Sequence, residues 1–114
     1  MARRNKLDLG AIRTVLEAER DELHRLSRTG AQERKPVELD QQSIGRLSRM
    51  DALQVQAMAQ SVEERRQNRL KRIAQALKRL ADDEYGTCLT CGERIAPKRL
   101  AADPTVTQCV DCAA

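Results

Sequence analysis

Four cysteines near the C-terminal end are the residues of this sequence best suited to chemistry. They form two Cys-x2-Cys pairs, Cys88 with Cys91 and Cys109 with Cys112, and seventeen residues separate the pairs. This spacing is typical of four thiolates that converge on one tetrahedral Zn²⁺. We therefore expect Cys88, Cys91, Cys109 and Cys112 to be the metal ligands.

The surroundings of the cysteines favour the same interpretation. Gly92 directly follows the first pair and supplies the permissive backbone that such a turn often requires. The single histidine, His24, lies more than sixty residues before the first cysteine and next to an apolar position, so we expect it at the surface. A site made of cysteines alone is the economical prediction.

Three other uses of the cysteines fit the sequence less well. Disulfides are disfavoured because the N-terminus does not resemble a secretory signal. Separate redox pairs are disfavoured because no βαβ pattern surrounds either Cys-x-x-Cys. A catalytic zinc usually keeps an open position and a His or carboxylate ligand, whereas four thiolates close the coordination shell. We expect one structural Zn²⁺, whose binding energy of about 10 kcal/mol stabilises a segment with little core of its own.

The composition points to long helices. The chain has 114 residues, one third of them charged, and Tyr85 is the only aromatic residue. A chain whose apolar residues are nearly all aliphatic and that contains this share of charged residues is typical of amphipathic helices and coiled coils. No apolar run approaches the roughly 18 residues of a membrane span, and with reduced cysteines we expect no membrane contact and a cytoplasmic protein.

The net charge of +4 is spread unevenly. Residues 63–79 form a basic run, with Glu63 and Glu64 as its acids. Its basic members are Arg65, Arg66, Arg69, Lys71, Arg72, Lys78 and Arg79. Such a run can attract phosphates, although a solvated helix face is the more ordinary interpretation. A chain almost without aromatic residues is poorly suited to base stacking.

The first helix is predicted to begin near Asp8, which can cap it, and to end at Thr29 and Gly30, with Gly30 as a left-handed C-cap. Its apolar positions recur at three- and four-residue steps, as in a coiled-coil seam with one polar member. The seam is Leu9, Ile12, Leu16, Glu19, Leu23 and Leu26.

Residues 30–43 have no sustained period, and Pro36 biases Lys35 away from helix, so we predict a connection there. The second helix has two possible starts, an early cap at Asp40 or Ser43 and a capping box at Ser48-Arg49-Met50-Asp51. It lacks Gly and Pro as far as Leu80, and Asp82-Asp83-Glu84-Tyr85-Gly86 ends it. Its seam is Leu47, Asp51, Gln54 or Val55, Met58, Val62, Arg66, Leu70, Ile73, Leu77 and Leu80.

Two helices with apolar seams bury them by folding back on each other. The predicted fold class is mainly α: a long antiparallel α-helical hairpin (coiled coil) with a small C-terminal four-cysteine zinc finger. Residues 1–7 would be a flexible N-terminus, 8–84 the hairpin with its tip at about 30–50, and 85–114 the zinc-finger domain.

Residues 60–114 resemble the DksA/TraR family of bacterial regulators, which carry a four-cysteine zinc finger. The resemblance rests on the acidic helix end, on both cysteine pairs and on the positions between them. These are Asp82-Asp83-Glu84-Tyr85-Gly86, Cys88-x2-Cys91-Gly92, Ile95, Arg99-Leu100, Ala102, Pro104-Thr105 and Cys109-x-x-Cys112. Residues 1–59 match in layout: helix, tip, helix, finger.

The resemblance implies a regulator that binds RNA polymerase, not DNA. In this family the hairpin enters the secondary channel, its tip approaches the catalytic Mg²⁺, and initiation is modulated, often together with the alarmone ppGpp. The family's tip carries Asp-x-x-Asp-x-Ala, a string absent here. Counting back from Cys88 places Gly45 and Ser48 at the two acids and Met50 at the alanine, and the earlier loop offers Asp40, Ser43 and Gly45. Our candidate contacts at the tip are Asp40, Arg46, Ser48, Arg49 and Asp51, for which ordinary loop and cap chemistry is the alternative.

Two other classes of function are weighed against a polymerase regulator. A DNA-binding zinc-finger protein would use the basic helix face 65–79, and the lack of a recognition helix inside the finger disfavours it. An enzyme would need a nucleophile and base, a glycine-rich phosphate loop or an open metal site, and the sequence shows none of these. We therefore expect no enzymatic activity.

Overall fold

The computed structural model describes residues 7–35 and 46–113, with only the backbone described at residues 46 and 47. The described part of the chain is mainly α-helical and contains no strand, only one isolated antiparallel bridge between Thr87 and Arg94. The helices are α1 (Leu9–Thr29), α2 (Ala31–Arg34), α3 (Arg46–Ala81), α4 (Pro97–Ala102) and α5 (Val110–Ala113). Within these ranges no helix is long and apolar enough to cross a membrane.

The start of α1 agrees with the prediction. The carboxylate of Asp8 accepts a hydrogen bond from the backbone N–H of Ala11 at 3.0 Å. This bond satisfies one of the four N–H groups that have no partner in the first helical turn. The helix therefore begins at Leu9, directly after its cap.

The helix α1 ends at Thr29, as predicted, but the conformation of the next residue, Gly30, differs from the prediction. Gly30 has φ −85° and ψ −1°, a right-handed helical conformation, so the expected left-handed C-cap is wrong. The chain continues almost directly into α2, where the sequence indicated a connection without helix. A Cβ at Gly30 would lie 3.2 Å from Nη1 of Arg34 and 3.4 Å from Nη1 of Arg66. Glycine is therefore suited to this position because it leaves room for two guanidinium groups.

The helix α3 spans 36 residues and starts earlier than the capping box indicated. It begins at Arg46, so Ser48 lies inside the helix and is not its cap. The alternative caps, Asp40 and Ser43, lie outside the described residues. The helix ends at Ala81, as expected, and Asp83 with φ 60° turns the chain away.

One stripe of α3 is buried. Its buried residues are Leu70, Ile73, Ala76 and Leu80. These positions follow helical spacing, although Ala76 is buried where the sequence seam contained Leu77. In α1 the seam is buried at Leu16, while Leu9 is 41% exposed, so the seam does not begin at Leu9.

The contacts divide the chain into two compact units. We call Asp21–Leu70 the arm unit, and the residues up to Arg20 together with those from Lys71 onward the finger unit. The predicted division into a hairpin of residues 8–84 and a finger of 85–114 stays a prediction.

Within the arm unit, α1 and α3 run antiparallel. The hydroxyl of Ser27 donates to Glu63 at 2.6 Å, and Nε2 of Gln56 donates to the carbonyl of Lys35 at 2.8 Å. Ser27 contacts Glu63, whereas Lys35, which comes later in the chain, contacts Gln56, which comes earlier in α3. The two segments therefore run in opposite directions. Both contacts are polar, so they lie outside the apolar seams from which the sequence predicted the pairing.

Glu63 is the centre of a polar cluster in the arm unit. Its carboxylate accepts hydrogen bonds from Ser27 and from Gln67, at 2.6 and 2.7 Å, and lies 3.3 Å from Arg34 and 3.2 Å from Arg66. The hydrogen bond from Ser27, followed by those from Gln67 and Arg66 and by the charge of Arg34, lowers the pKa of Glu63 below its usual 4.5. The cluster joins α1, α2 and α3 through one carboxylate.

Candidate metal centre

The first cysteine pair is held by a short reversal of the chain after α3. The N–H of Cys88 donates to the carbonyl of Glu93 at 2.8 Å, and the N–H of Gly92 donates back to the carbonyl of Cys88 at 3.0 Å. Gly92 has φ +78°, which confirms the permissive backbone expected after the pair. Gly86 has φ +90° where the chain enters this reversal.

The second pair lies at the start of α5. The N–H of Ala113 donates to the carbonyl of Cys109 at 3.0 Å. Two bonds connect this region to the first pair, from the N–H of Leu89 to the carbonyl of Thr107 at 2.8 Å and from Gln108 Nε2 to Thr90 Oγ1 at 2.9 Å. The loop between the two cysteine pairs therefore returns alongside the first pair.

The four sulfur atoms converge. All of them lie within 4.8 Å of one another, and Sγ of Cys91 is 3.7 Å from Sγ of Cys109. Sulfurs at the corners of a tetrahedron with Zn–S bonds of about 2.3 Å are about 3.8 Å apart. The cysteines are free thiols and this separation is far beyond a disulfide bond of about 2.05 Å. The arrangement suits one metal ion, and it disfavours disulfides and two independent redox pairs.

The thiols of the cluster influence one another strongly. The backbone N–H of Cys109, followed by that of Cys91, lowers the pKa of Cys88 to about 6. The neighbouring thiols, Cys109 first and then Cys91 and Cys88, raise the pKa of Cys112 to about 12. Four thiolates in this space repel one another, so a divalent cation is the natural replacement for their protons.

A small core lies beneath the cysteines. Cys88, Ile95 and Leu100 are buried, and Leu7, Tyr85 and Val106 are among the partly buried residues that pack against them. Leu7 therefore takes part in the packing, although the sequence placed it in a flexible N-terminus; residues 1–6 lie outside the described residues. The core has few members, which is consistent with a metal that contributes folding energy.

Polar contacts fix the loop between the pairs. The hydroxyl of Tyr85 donates to the carbonyl of Pro104 at 2.7 Å. Thr105 is 2% exposed, and both its N–H and its hydroxyl donate to Oδ1 of Asp103, at 3.0 and 2.8 Å. The other carboxylate oxygen of Asp103 lies 3.3 Å from Arg72 of α3. These contacts connect the finger's loop to the helix that precedes it.

The predicted tip residues are placed only in part. Ser48 and Asp51 are exposed on the first turns of α3, and Arg49 is partly exposed. Arg46 is the first residue of α3, while its side chain and the whole of Asp40 lie outside the described residues.

Glu63 is a centre of contacts that was not predicted from the sequence. Its spacing of three from Arg66 was a visible signal, because residues three apart are neighbours on a helix surface. Its pairing with Ser27 depends on the register of two helices, which no local pattern indicates.

His24 is exposed, as predicted. The basic run on α3 is largely engaged with other groups. Arg66, Arg72 and Lys78 form ion pairs with Glu63, Asp103 and Asp82. Arg79 is partly buried, and this burial lowers the pKa of its guanidinium.

Comparisons with known proteins agree with the geometry of the finger. Residues 83–114 match the family model of the prokaryotic dksA/traR C4-type zinc finger. Over 49 residues the chain is 43% identical to the RNA polymerase-binding transcription factor DksA of Haemophilus influenzae, and 39% identical to that of Escherichia coli. These matches cover 43% of this chain, and 34% and 32% of the two relatives. The matched stretch thus spans about a third of each curated relative.

A solved structure extends the likeness beyond the finger. The transcription factor DksA2 from Pseudomonas aeruginosa superposes with a TM-score of 0.76 and 25% sequence identity, covering 92% of this chain and 79% of that one. The matched family and the four converging sulfurs together make the centre a site for one structural Zn²⁺. When bound, the ion crosslinks the two cysteine pairs. A coordination shell closed by four thiolates offers no position for a substrate.

Proposed function

Because residues 83–114 match the dksA/traR C4-type zinc-finger model and the fold resembles that of DksA2, we propose that the chain is a DksA-like regulator of the DksA/TraR family that binds bacterial RNA polymerase. The observation that carries the proposal is the likeness to DksA2 over 92% of the chain, which includes the helices as well as the finger. The relatives that match the finger are named as RNA polymerase-binding transcription factors. We accordingly propose that the protein is cytoplasmic, as bacterial RNA polymerase is.

We further propose that the two long helices enter the secondary channel of the polymerase. A channel admits an element that is narrow and keeps its shape. Two antiparallel helices meet the first requirement, and α3 alone is about 54 Å long at 1.5 Å per residue. The cluster around Glu63 supports the second requirement within the arm unit, because it connects α1, α2 and α3 by side-chain contacts.

The residue types at the proposed tip differ from those of the family pattern. Asp51 is an exposed acid on the first turns of α3, and it is accompanied by Ser48 and Arg49 rather than by a second acid. A single carboxylate interacts less strongly with a bound Mg²⁺ than a pair would. We therefore propose that Ser48, Arg49 and Asp51, with Asp40 and Arg46, contact the polymerase, and that any effect of ppGpp acts through the complex.

Direct DNA binding by the face 65–79 is less consistent with the structure. Among its basic residues, Arg66, Arg72 and Lys78 form ion pairs with carboxylates, and Arg79 is partly buried. Each charge already paired contributes less to the release of counterions from DNA. A zinc-dependent enzyme is also disfavoured, because four thiolates saturate the ion.

The proposal is tested with the zinc-loaded chain and purified core RNA polymerase. A photoreactive residue replaces Ser48, which is exposed, and the crosslinked polymerase segment is identified by mass spectrometry with and without ppGpp. We expect a crosslink inside the secondary channel, with a second photoreactive variant at His24 as the exposed control on α1. Failure of the chain to bind polymerase at low salt would remove the proposal. A crosslink outside the channel would retain the partner and reject the mode of insertion.

A further inference from the structure

The residue that precedes the first helix packs on the core of the finger. We call Cys88, Ile95 and Leu100 the finger core, because these three residues are buried together. Leu7 is partly buried and packs against this core. A Cβ at Gly86 would lie 3.1 Å from Cδ1 of Leu7 and 3.8 Å from Cδ1 of Leu100, so the glycine leaves room for Leu7 to approach.

The position of Leu7 in the chain connects the finger core to α1. Leu7 directly precedes Asp8, whose carboxylate caps the helix. An apolar residue before the cap fixes the angle at which the chain enters a helix through the contact that it makes. Because Leu7 packs against the finger core, that core fixes the entry to α1.

The first turns of α1 have few other contacts that could order them. Of residues 8–15, all except Ile12 are exposed, and Leu16 is the first buried residue of the helix. Gly10 lies in the first turn, and glycine is the least favourable residue in a helix after proline. The order of residues 8–15 therefore depends strongly on the contact made by Leu7.

The finger core in turn depends on the metal. Cys88 is both a predicted zinc ligand and a member of the core, and the ligands Cys109 and Cys112 pack against it. A core with three buried members removes little apolar surface from water, so the binding energy of the ion contributes to its folding. Loss of the ion separates the two cysteine pairs and removes the surface that Leu7 contacts.

We propose that the zinc site controls the order of the start of α1 through Leu7. With the ion bound, the finger core holds Leu7, and residues 8–15 are helical. When the ion is lost, Leu7 loses its partners and these turns fray. The helix from Leu16 onward remains, because Leu16 is fully buried outside the finger core. Coupling between two sites is reciprocal, so the packing of Leu7 also strengthens zinc binding by the same factor.

Hydrogen exchange of the full chain tests the effect of the ion on α1. Mass spectrometry follows the amides of residues 12–16, with zinc bound and after zinc is removed by a chelator under reducing conditions. The N–H of Ile12 donates to the carbonyl of Asp8 at 3.1 Å, so its exchange reports on the first turn. Without zinc we expect residues 12–16 to exchange about tenfold faster or more. Residues 21–29, in the arm unit, should change less than about twofold.

The variant Leu7→Ala tests the reciprocal effect on the metal. We expect its zinc affinity, measured by competition with a chelator, to fall about tenfold, and its residues 12–16 to exchange faster even with zinc bound. The matched control is Leu9→Ala, which removes the same atoms from a residue that is 41% exposed. Leu9→Ala should change the zinc affinity less than about twofold. So should Leu7→Met, which keeps an apolar side chain of similar size.

Three results would overturn the proposal. The first is unchanged exchange of residues 12–16 after zinc is removed. The second is equal acceleration of residues 12–16 and 21–29, which would show that the chain unfolds as a whole. The third is a zinc affinity of Leu7→Ala equal to that of Leu9→Ala. No polymerase enters these measurements, so their outcome is independent of the proposed function.

Discussion

Removing the charge of Glu63 should destabilise the arm unit. In Glu63→Gln the side chain keeps its size, but one acceptor oxygen becomes an NH₂ group that faces donors. The carboxylate is 15% exposed and has four partners: Ser27 at 2.6 Å, Gln67 at 2.7 Å, Arg66 at 3.2 Å and Arg34 at 3.3 Å. The two arginines would then lose their shared counter-charge.

The magnitude follows from these contacts. A hydrogen bond to a charged group contributes about 1.5–3 kcal/mol when well buried, and partly exposed ion pairs contribute about 0.2–1 kcal/mol. The amide of the substituted side chain would retain one acceptor for either Ser27 or Gln67. We therefore expect a decrease of about 2 kcal/mol in the free energy of unfolding. Ser27→Ala should cost about 1 kcal/mol, and the double variant should cost less than the sum of the two because the residues share one contact.

The dependence on pH provides an independent check. The pKa of Glu63 is lowered in the folded protein, so its contribution is fully present above the unfolded value of 4.5. It is lost as the pH falls through the lower folded value. The difference between the unmodified chain and Glu63→Gln should accordingly be largest near neutral pH and shrink in acid.

The assay is urea unfolding followed by circular dichroism, at neutral pH and at a pH below the folded pKa of Glu63. The control is Glu64→Gln, which removes an adjacent and exposed acid outside the cluster. If Glu63→Gln and Glu64→Gln lose equal stability at neutral pH, or if the loss in Glu63→Gln is the same at both pH values, the role given to Glu63 is wrong.

Three further predictions concern the finger unit. Cys109→Ser should abolish stoichiometric zinc binding, measured by metal analysis. It should also expose residues 87–113 to proteases while most of the helical circular dichroism signal remains. Retained zinc and a protease-resistant C-terminus would contradict the four-cysteine site. Gly86→Ala should lower the melting temperature, because a φ of +90° is strained for alanine by about 1–2 kcal/mol and the new Cβ would lie 3.1 Å from Leu7 Cδ1. The control is Gly10→Ala, at a helical position where the nearest atom is 3.6 Å away, and this substitution should raise the melting temperature. Ile73→Ala should cost about 2–5 kcal/mol in chemical unfolding because Ile73 is fully buried, and a cost below that of the exposed Leu89→Ala would show that its burial has been misjudged.

The sequence by itself determined the features that depend on neighbours along the chain. The Cys-x2-Cys spacing, Asp8 as a cap, the permissive Gly92 and the end of α3 before Asp82 each involve a few consecutive residues, and each is found where it was predicted. Local backbone geometry and ligand spacing are sufficient to define such features.

The tertiary structure decided the features that depend on which distant residues meet. Gly30 follows the end of α1, as predicted, but its backbone is right-handed, and its closeness to Arg34 and Arg66 is visible only once α2 lies beside α3. The pairing of Ser27 with Glu63 follows from the register between the helices. An apolar seam in the sequence of one helix indicates which face of that helix is buried. The register of one helix against the other depends on all the contacts between the two helices.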